Sequence, residues 1–319
     1  MGAGALEIRV LVGGWERLEP VPGSSLSYLM WDVMAEWRRR GHLVTELRGV
    51  PTGGPCVEPR GVCVLHIDLT RTPADCAAYA ASHAVSVNGR FLDNSKRAVS
   101  RHLVSPDDGY DGAVIVKSDL NYGGSPEENM ARRVGGWRAR LAGSVRRRRP
   151  WAMRSTISVM DYRVFDRRSE VPAAVWRNPG LVVERFRPEH RDGLFWVRSW
   201  LFLGDRGYVR SIGSSHPVIK AERVTSQRLG DQDDPEVLPQ SVRDRRAGMG
   251  LDYGKIDFTV GEDGEAVVFD MNRTPNSAKK EPEEKRLQTE MLADGLAGLI
   301  SGARGGSRAP GVTVAGAGG

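Results

Sequence analysis

Strand-like apolar runs alternate with amphipathic helical stretches over the first part of the chain. Residues 7–14 form an apolar run that ends in two glycines, the pattern of a buried strand followed by a turn. Apolar side chains then recur at helical spacing from Leu26 to Trp37, which predicts a helix with Ser24 or Ser25 as N-cap and Gly41 just past its end. Further elements are predicted as strands at 42–48, 62–69 and 84–87 and a helix at 74–82. This alternation predicts a small Rossmann-like α/β domain over residues 1–92.

From residue 93 onward the pattern changes to hairpins and polar connections. It predicts helices at 95–103, 127–149 and 281–300, and strands at 113–117, 181–186, 194–203 and 208–212. The last two strands would form a hairpin around Gly204-Asp-Arg-Gly207. Residues 213–241 are polar and irregular, and residues 301–319 are so rich in glycine, alanine and serine that we expect a disordered tail.

The segment 255–272 carries the clearest chemical signal in the sequence. Two strand-like stretches flank Asp263-Gly264, a dipeptide favoured in two-residue type I′ turns. If this turn sets the register, Asp257 lies directly opposite Asp270, and Asn272 shares the face of Asp270 because side chains alternate along a strand. Two facing carboxylates destabilise a sheet unless a positive charge lies between them. Three oxygen ligands on one patch therefore predict a Mg²⁺ site. A solvated acidic hairpin tip is the alternative interpretation.

Composition and charge narrow the functional classes. The chain has 319 residues, enough for one large or two to three small domains, and a formal charge of +6 at pH 7, which suits anionic partners such as nucleotides or nucleic acid. No apolar run is long enough to predict a transmembrane helix, and the N-terminus lacks the pattern of a secretory signal. The three cysteines, Cys56, Cys63 and Cys76, have no zinc spacing and are expected to be buried thiols in a reducing cytosol. Only seven residues are lysines, so a lysine in a candidate site stands out from the surface charge that arginine supplies.

In order and spacing, the segments from residue 95 to residue 300 resemble the ATP-grasp superfamily. Val114-Ile-Val-Lys117 is similar to the strand whose lysine contacts the nucleotide phosphates, and Lys96 matches the other phosphate-contacting lysine. Asp119-Leu-Asn-Tyr-Gly-Gly124 resembles the glycine loop that closes over the phosphates, which implies contacts from Asn121, Gly123 and Gly124. Surface lysines and an ordinary turn are the alternative interpretations. The resemblance implies a pre-ATP-grasp domain at 1–92, a small lobe at 93–180 and a large lobe at 181–300.

The same resemblance implies further nucleotide and substrate contacts. Val182-Val-Glu-Arg-Phe186 is similar to the linker strand that recognises adenine, so Glu184, Arg185 and Phe186 would contact the base. The remaining implied contacts are Glu189 or Asp192 to the ribose, Arg198 to the γ-phosphate or the substrate carboxyl, Lys220 to the phosphates from a loop, and Arg273 and Asn276 to the acceptor substrate. Lys117, Arg198 and Arg273 would be the catalytic set. The chain departs from the family pattern at Asp270, where a glutamate is usual.

The resemblance implies an ATP- and Mg²⁺-dependent ligase. Such an enzyme activates a substrate carboxylate as an acyl phosphate and joins it to an amine, with release of ADP and phosphate. Small-molecule or peptide carboxylates and amines would be its substrates, the cytoplasm its location, and a homodimer is compatible with it. A small-molecule kinase would use the same nucleotide residues. A non-catalytic relative is a further alternative, against which the paired carboxylates argue.

Two features leave other interpretations open. The pI near 9.4 and the tract Arg146-Arg-Arg-Arg149 motivate nucleic-acid binding. The tract is short and lacks the interleaved aromatic residues used for stacking on bases, which favours a solvated helix end. His66 follows a predicted strand, where it could face a substrate or lie hydrogen-bonded in the core.

Overall fold

The computed structural model describes residues 4–20, 27–52, 61–135, 148–219, 224–277 and 281–306. The helices span Leu29–Arg39 (α1), Ala74–Ala81 (α2), Lys96–Val99 (α3), Ser125–Val134 (α4), Ala173–Trp176 (α5), Gln240–Met249 (α6), Pro282–Asp294 (α7) and Leu296–Gly306 (α8). The strands span Glu7–Val12 (β1), Ser27–Tyr28 (β2), Leu43–Arg48 (β3), Val62–Leu65 (β4), Val85–Val87 (β5), Val114–Ser118 (β6), Arg163–Phe165 (β7), Leu181–Arg185 (β8), Glu189–Arg191 (β9), Leu194–Leu203 (β10), Arg206–Ser214 (β11), Ser226–Asp231 (β12), Tyr253–Val260 (β13), Ala266–Asn272 (β14) and Asn276–Ser277 (β15).

The N-terminal part forms a parallel four-stranded sheet in the order β3-β1-β4-β5. This arrangement confirms the predicted α/β character of the first domain. Helix α1 begins at Leu29, later than predicted, because Ser27 and Tyr28 instead pair with β15 as a short antiparallel ribbon. The predicted caps Ser24 and Ser25 lie outside the described residues. The helix ends near Gly41 as predicted, and the positive φ of 87° at this glycine suits a chain reversal.

A second, antiparallel sheet has the order β7-β6-β8 and its own apolar core. Strand β8 was expected to open the large lobe, but it pairs with β6 and so belongs to this smaller sheet. The predicted helix at 95–103 is shorter, with only α3 formed. The basic helix begins at Ser125 and is described to Val134; residues 136–147 lie outside the described ranges, and Arg148 and Arg149 are exposed.

The third sheet is antiparallel, with the order β12-β11-β10-β13-β14 and β9 paired to β10. Leu203 pairs with Arg206, so the β10–β11 turn has two residues rather than the predicted four. The prediction of an irregular stretch at 213–241 is wrong, since it contains β12 and the first two residues of α6. Buried and exposed residues do not alternate regularly along β12, which explains why the sequence pattern did not indicate a strand.

The C-terminal helix continues further than predicted. Helix α7 ends at Asp294, Gly295 follows, and α8 runs on through Gly306, so the predicted disordered tail is wrong at its start. Residues 307–319 lie outside the described residues. An added Cβ at Gly295 would lie 1.8 Å from the carbonyl oxygen of Leu203, so this glycine lets the helix pair approach the end of β10.

One apolar core joins the N-terminal sheet to the large antiparallel sheet. Buried side chains from β1 and α1 pack with buried side chains from β10, β13 and α7. The indole nitrogen of Trp37 in α1 donates to the carbonyl of Ala293 in α7 at 3.1 Å. This shared core holds the parallel sheet against the large antiparallel sheet.

Cys63 and Cys76 are free, buried thiols, as predicted, and burial raises their pKa values to about 12 and about 11. Cys56 lies outside the described residues. Among the helices described, none has the length and apolar character needed to cross a membrane.

Candidate active site

The two carboxylates of the β13–β14 hairpin face each other. Asp257 pairs directly with Asp270, and Lys255 pairs with Asn272. The predicted two-residue turn is wrong, since Val260 pairs with Ala266 and the Gly261 amide donates to Glu265 at 2.9 Å. This longer turn would shift the register by one residue, and a bulge between Asp257 and Phe258 shifts it back. The predicted facing pair therefore results from two compensating features.

Lysine ammonium groups neutralise both facing carboxylates. Lys96 Nζ lies 2.5 Å from Asp270 Oδ1, and Lys255 Nζ lies 2.7 Å from Asp257 Oδ2. Burial alone would raise the pKa of the Asp270 carboxyl, but Lys96, Lys255 and Lys117 hold it below its usual range. Burial opposes the charge of Lys96, yet the adjacent Asp270 raises the pKa of this ammonium. Both groups are therefore charged at neutral pH.

A third lysine–carboxylate pair connects the small sheet to the hairpin. Lys117 on β6 forms an ion pair with Glu184 on β8, and both side chains are buried. Glu184 lies opposite Ile115, so Lys117 is its diagonal neighbour on the same face of the sheet. The Lys117 ammonium also lies 5.4 Å from the ring centroid of Phe269 in β14. The lysines that were predicted to bind phosphates thus converge on the predicted metal hairpin.

Three site residues were not found by sequence reasoning. Ser199 on β10 pairs with Asp257 and donates its hydroxyl to Asp257 Oδ1 at 2.5 Å. Lys255 lies two residues before Asp257 on the same face, a signal that alternation along the strand could have supplied. Tyr162, which follows a 3₁₀ turn at Val159–Asp161, interacts electrostatically with Lys96. No motif marks Ser199 or Tyr162, since only the folded chain brings them to the hairpin.

The donor set at the hairpin suits a divalent cation. Two facing carboxylates and the Asn272 amide provide the oxygen ligands that Mg²⁺ prefers. The Asn272 oxygen already accepts from the Thr274 amide at 2.8 Å and from its hydroxyl at 3.0 Å. Asn272 would therefore have to give up the hydroxyl contact to coordinate a metal through that oxygen. In the described ranges, no group of three or more His, Cys, Asp and Glu side chains is placed to hold a metal, so such a site requires this amide.

Arg198 does not lie with the facing carboxylates. It is adjacent to Ser199 on β10, so its side chain points to the opposite face of the sheet. Its guanidinium lies 2.7 Å from Glu189 Oε1, and Glu189 also accepts from the Val260 amide at 3.1 Å. The expectations of a γ-phosphate contact from Arg198 and a ribose contact from Glu189 do not fit these structural pairings. Asp192, the other ribose candidate, is exposed at the β9–β10 turn, with φ 55°.

Arg273 has a structural role rather than the predicted catalytic one. Its side chain is fully buried, and its guanidinium donates to the carbonyls of Ile67, Phe91, Leu69 and Thr70 at 3.0, 2.5, 2.6 and 3.2 Å. Burial lowers the pKa of this arginine to about 10. Because all four of these hydrogen bonds go to the main chain of the first domain, Arg273 joins that domain to the hairpin.

The glycine turn is a packed structure rather than an open loop. Asn121–Gly124 form a 3₁₀ turn that is buried except at Tyr122 and leads directly into α4. Positive φ angles occur at Tyr122, Gly123 and Gly124, and an added Cβ at Gly123 would lie 2.7 Å from the Ile157 carbonyl. The two glycines therefore allow close packing against residues 156–158. A cavity of about 470 Å³ lies beside Gly123, and no other predicted site residue lines it.

The linker strand and the loop lysine give less support to the predicted nucleotide contacts. The amides of Arg185 and Phe186 donate to the carbonyls of His102 and Ala113 at 2.9 and 2.8 Å, so neither N–H is available for adenine. The Arg185 guanidinium stacks on Tyr110, 4.7 Å from its ring centroid. Lys220 lies outside the described residues. Asn276 is exposed in β15, on the ribbon it forms with Tyr28.

Comparisons with known proteins place these features in context. No family model matches the sequence, and a search of curated proteins found no match. Three solved structures are similar along almost the whole chain. A RimK domain ATP-grasp protein from Sphaerobacter thermophilus has 14% sequence identity and a TM-score of 0.47, and the match covers 91% of this chain and 100% of that one. The ATP-grasp ligase PsnB, complexed with a phosphomimetic precursor variant, Mg and ADP, has 14% identity and a TM-score of 0.47 over 92% of this chain and 98% of that one. The D-alanine–D-alanine ligase from Coxiella burnetii has 11% identity and a TM-score of 0.44 over 95% of this chain and 97% of that one. At these identities and TM-scores, the likenesses carry no functional argument, and function must be argued from the contacts within this chain.

Proposed function

We propose that this chain is an ATP- and Mg²⁺-dependent ligase that activates a substrate carboxylate and joins it to an amine. The observation that carries the proposal is the convergence of three lysine–carboxylate pairs on the β13–β14 hairpin: Lys96–Asp270, Lys117–Glu184 and Lys255–Asp257. One pair is fully buried and the other two are partly buried. Such ion pairs are weak contributors to stability, so three of them in one place favour a functional role. A site for a metal–nucleotide needs positive groups for the phosphates and negative groups for the metal next to each other.

The pairs provide partners for both parts of a metal–nucleotide. Lys96 and Lys117 would bind phosphate oxygens, while Asp257, Asp270 and Asn272 would hold Mg²⁺. Each lysine would exchange its carboxylate for phosphate, and each hairpin carboxylate would exchange its lysine for the metal. Because these lysines and carboxylates are already charged, binding would exchange their partners without a change of net charge on the protein groups.

The reaction we propose needs no nucleophile from the protein. An oxygen of the substrate carboxylate would attack the γ-phosphorus, with ADP leaving and an acyl phosphate forming. The amine would then attack the acyl carbon, phosphate would leave, and the amine nitrogen would lose a proton. The contribution of the chain would be positioning and charge neutralisation, chiefly by Lys96 and Lys117.

Thermal unfolding with MgATP tests the nucleotide and metal site. MgATP should raise the melting temperature of the wild type, because a ligand that binds only the folded state stabilises it. Asp257→Asn and Asp270→Asn should lose most of this rise while remaining folded. Asp263→Asn, at the tip of the same hairpin, is the matched control and should respond as the wild type does. Absence of any rise in a well-folded wild type would overturn the proposed site.

Hydroxylamine separates the ligase from a kinase on the same residues. A panel of carboxylates is incubated with MgATP and hydroxylamine in place of an amine. A ligase should form hydroxamate from at least one acid, because hydroxylamine intercepts an acyl phosphate. Transfer of phosphate to a hydroxyl substrate without any hydroxamate would instead establish the kinase.

A further inference from the structure

Lys255 is the lysine of the site to which the proposed nucleotide contacts give no role. Lys96 and Lys117 lie on α3 and β6, whereas Lys255 lies on β13 itself, two residues before Asp257 and on the same face of the sheet. Its ammonium nitrogen lies 2.7 Å from Asp257 Oδ2. The hairpin that would hold the metal therefore carries a positive charge of its own.

The neighbours of Lys255 keep its ammonium group within the site. On the adjacent strands Lys255 pairs with Leu201 of β10 and Asn272 of β14, and Leu201 belongs to the shared apolar core. Tyr253, the preceding residue on the same face of β13, is fully buried in that core as well. The direct polar neighbours of Lys255 on this face are Asp257 and Asn272, two of the predicted metal ligands. If Asp257 exchanged the ammonium for a metal, this group would still lie beside the ligands of that metal.

The oxygen atoms of the two hairpin carboxylates are unequally available to metal ions. Both oxygens of Asp257 are engaged, since Oδ1 accepts from the Ser199 hydroxyl at 2.5 Å and Oδ2 is paired with Lys255. Asp270 pairs through Oδ1 with Lys96, and its Oδ2 has no hydrogen bond or ion pair to the residues that the structure describes. Mg²⁺ usually binds through one or two carboxylates together with the phosphates of its substrate. These oxygens suffice for one such ion, and a second ion would compete with Lys255 and Ser199 for Asp257.

The balance of charge at the hairpin also favours one metal ion. Some phosphoryl-transfer sites use two divalent ions, which together hold the attacking and leaving oxygens. Here the charge of Lys255 interacts with the Asp270 carboxylate as well as with Asp257. In the described ranges, no third acidic, His or Cys side chain joins these two carboxylates to form a metal-binding group. A second divalent ion would therefore meet an ammonium ion of like charge beside only two carboxylates.

We propose that Lys255 contacts the nucleotide phosphates in place of a second metal ion, so that the site binds one Mg²⁺ per nucleotide. An ammonium ion supplies a positive charge and three hydrogen-bond donors, which are what the phosphate oxygens require. Because Lys255 lies on a paired strand, its position is set by the scaffold and not by a loop. The inference rests on the function proposed above, since it requires a metal–nucleotide at this hairpin.

Electron paramagnetic resonance of Mn²⁺, used in place of Mg²⁺, tests the number of metal ions. The full chain is kept in excess over a non-hydrolysable ATP analogue so that nearly all of the nucleotide is bound, and Mn²⁺ is added stepwise with and without the analogue. We expect the nucleotide-dependent binding to end at one Mn²⁺ per nucleotide. Binding of two would overturn the inference and leave the proposed MgATP site standing, whereas no nucleotide-dependent binding would overturn both.

Replacement of Lys255 by methionine tests the phosphate contact. Lys255→Met removes the charge but keeps an unbranched side chain. At one equivalent of Mn²⁺ it should bind the analogue roughly tenfold or more weakly than the wild type, because a charge-assisted hydrogen bond is lost. Since Asp257 also loses its partner, a second Mn²⁺ should bind to the variant and restore part of the affinity. A lysine with a purely structural role would leave the number of bound Mn²⁺ ions unchanged.

A conservative variant and a matched control complete the test. Lys255→Arg keeps the positive charge and should retain one Mn²⁺ per nucleotide and most of the affinity, and it decides the question even if Lys255→Met does not fold. Lys285 on α7 also forms an ion pair, with its nitrogen 2.9 Å from Asp32 Oδ1, so Lys285→Met should bind nucleotide and Mn²⁺ as the wild type does. Wild-type affinity and one Mn²⁺ in Lys255→Met, or two Mn²⁺ in Lys255→Arg, would overturn the inference.

Discussion

Arg273 connects the end of the metal hairpin to the first domain through the main chain alone. Its replacement by methionine keeps the apolar stem but leaves three buried carbonyls, those of Ile67, Leu69 and Phe91, without that donor. The Thr70 carbonyl keeps the Asn94 amide as a donor. Each unsatisfied buried group costs about 1–3 kcal/mol, so we expect Arg273→Met to lower the free energy of unfolding by about 3 kcal/mol or more. Urea denaturation measures this change.

Arg286 provides the comparison for that substitution. It is exposed on α7 and pairs with Glu283 and Glu290 at 3.0 and 2.9 Å. Surface ion pairs contribute little, so Arg286→Met should change the free energy of unfolding far less than Arg273→Met does. If the two substitutions had equal effects, the structural role of Arg273 would be wrong.

The residues of the candidate site differ in how far the sequence predicts them. Asp257 and Asp270 are predictable because a hairpin pairs residues that are close in the chain. Lys96 and Lys117 are predictable only through the family resemblance, and their pairing with Asp270 and Glu184 is not predictable. Arg273 is misassigned because its position after the metal ligands fits a substrate contact equally well. Its full burial depends on the docking of residues 67–91, which local sequence does not encode.

At the level of elements, the break between α7 and α8 is set by a close approach to the β10–β11 turn. The backbone of Gly295 would accept alanine, but the added methyl group would lie 1.8 Å from the Leu203 carbonyl oxygen. The helix pair must then move away from β10. We expect Gly295→Ala to lower the free energy of unfolding by about 2 kcal/mol or more, measured by thermal or urea unfolding.

Gly302 in α8 is the matched control for this substitution. Nothing lies within 4 Å of a Cβ added there. Alanine is favoured over glycine inside a helix by up to about 1 kcal/mol, so Gly302→Ala should be neutral or stabilising. If Gly295→Ala left the free energy of unfolding unchanged, the backbone at Leu203 would be able to move away from the added methyl group without loss of stability.

The β13–β14 hairpin illustrates why element positions are easier to predict than their details. Apolar alternation and Asp263-Gly264 correctly indicate two strands and a turn. The turn type and the bulge at Asp257 are not readable from that pattern, because both depend on packing against β10 and the small sheet. Strand β12 is missed for a related reason, since it is an edge strand whose side chains are mostly exposed.

For the molecule as a whole, the buried acid Glu16 makes stability depend on pH. Its folded pKa of about 7 lies above the usual value of 4.5, so the folded state binds more protons between these values. The contribution of Glu16 protonation to the free energy of unfolding is therefore greatest below pH 4.5 and is lost as the pH rises through 7. As the pH is raised from 5 to 8, the unfolding free energy of Glu16→Gln should increase relative to that of the wild type by about 2 kcal/mol. Urea denaturation across this range measures it, and Glu19→Gln should show no such gain.

The distribution of apolar cores predicts two cooperative units that do not follow the lobes expected from the sequence. One core joins the parallel sheet to the large antiparallel sheet, whereas β6 and β8 are packed around a separate core. Val10 and Val116 are fully buried valines, one in each core. Replacing either by alanine should cost about 2 kcal/mol through lost burial and a residual cavity.

Hydrogen exchange of the native protein distinguishes these units. Val116→Ala should accelerate exchange in β6 and β8 and leave the other sheets nearly unchanged. Val10→Ala should accelerate exchange in the parallel sheet and also in β10 and β13, because both sides of the shared core lose the same contacts. If the effect of Val10→Ala stopped at the first domain, that domain would be an independent unit.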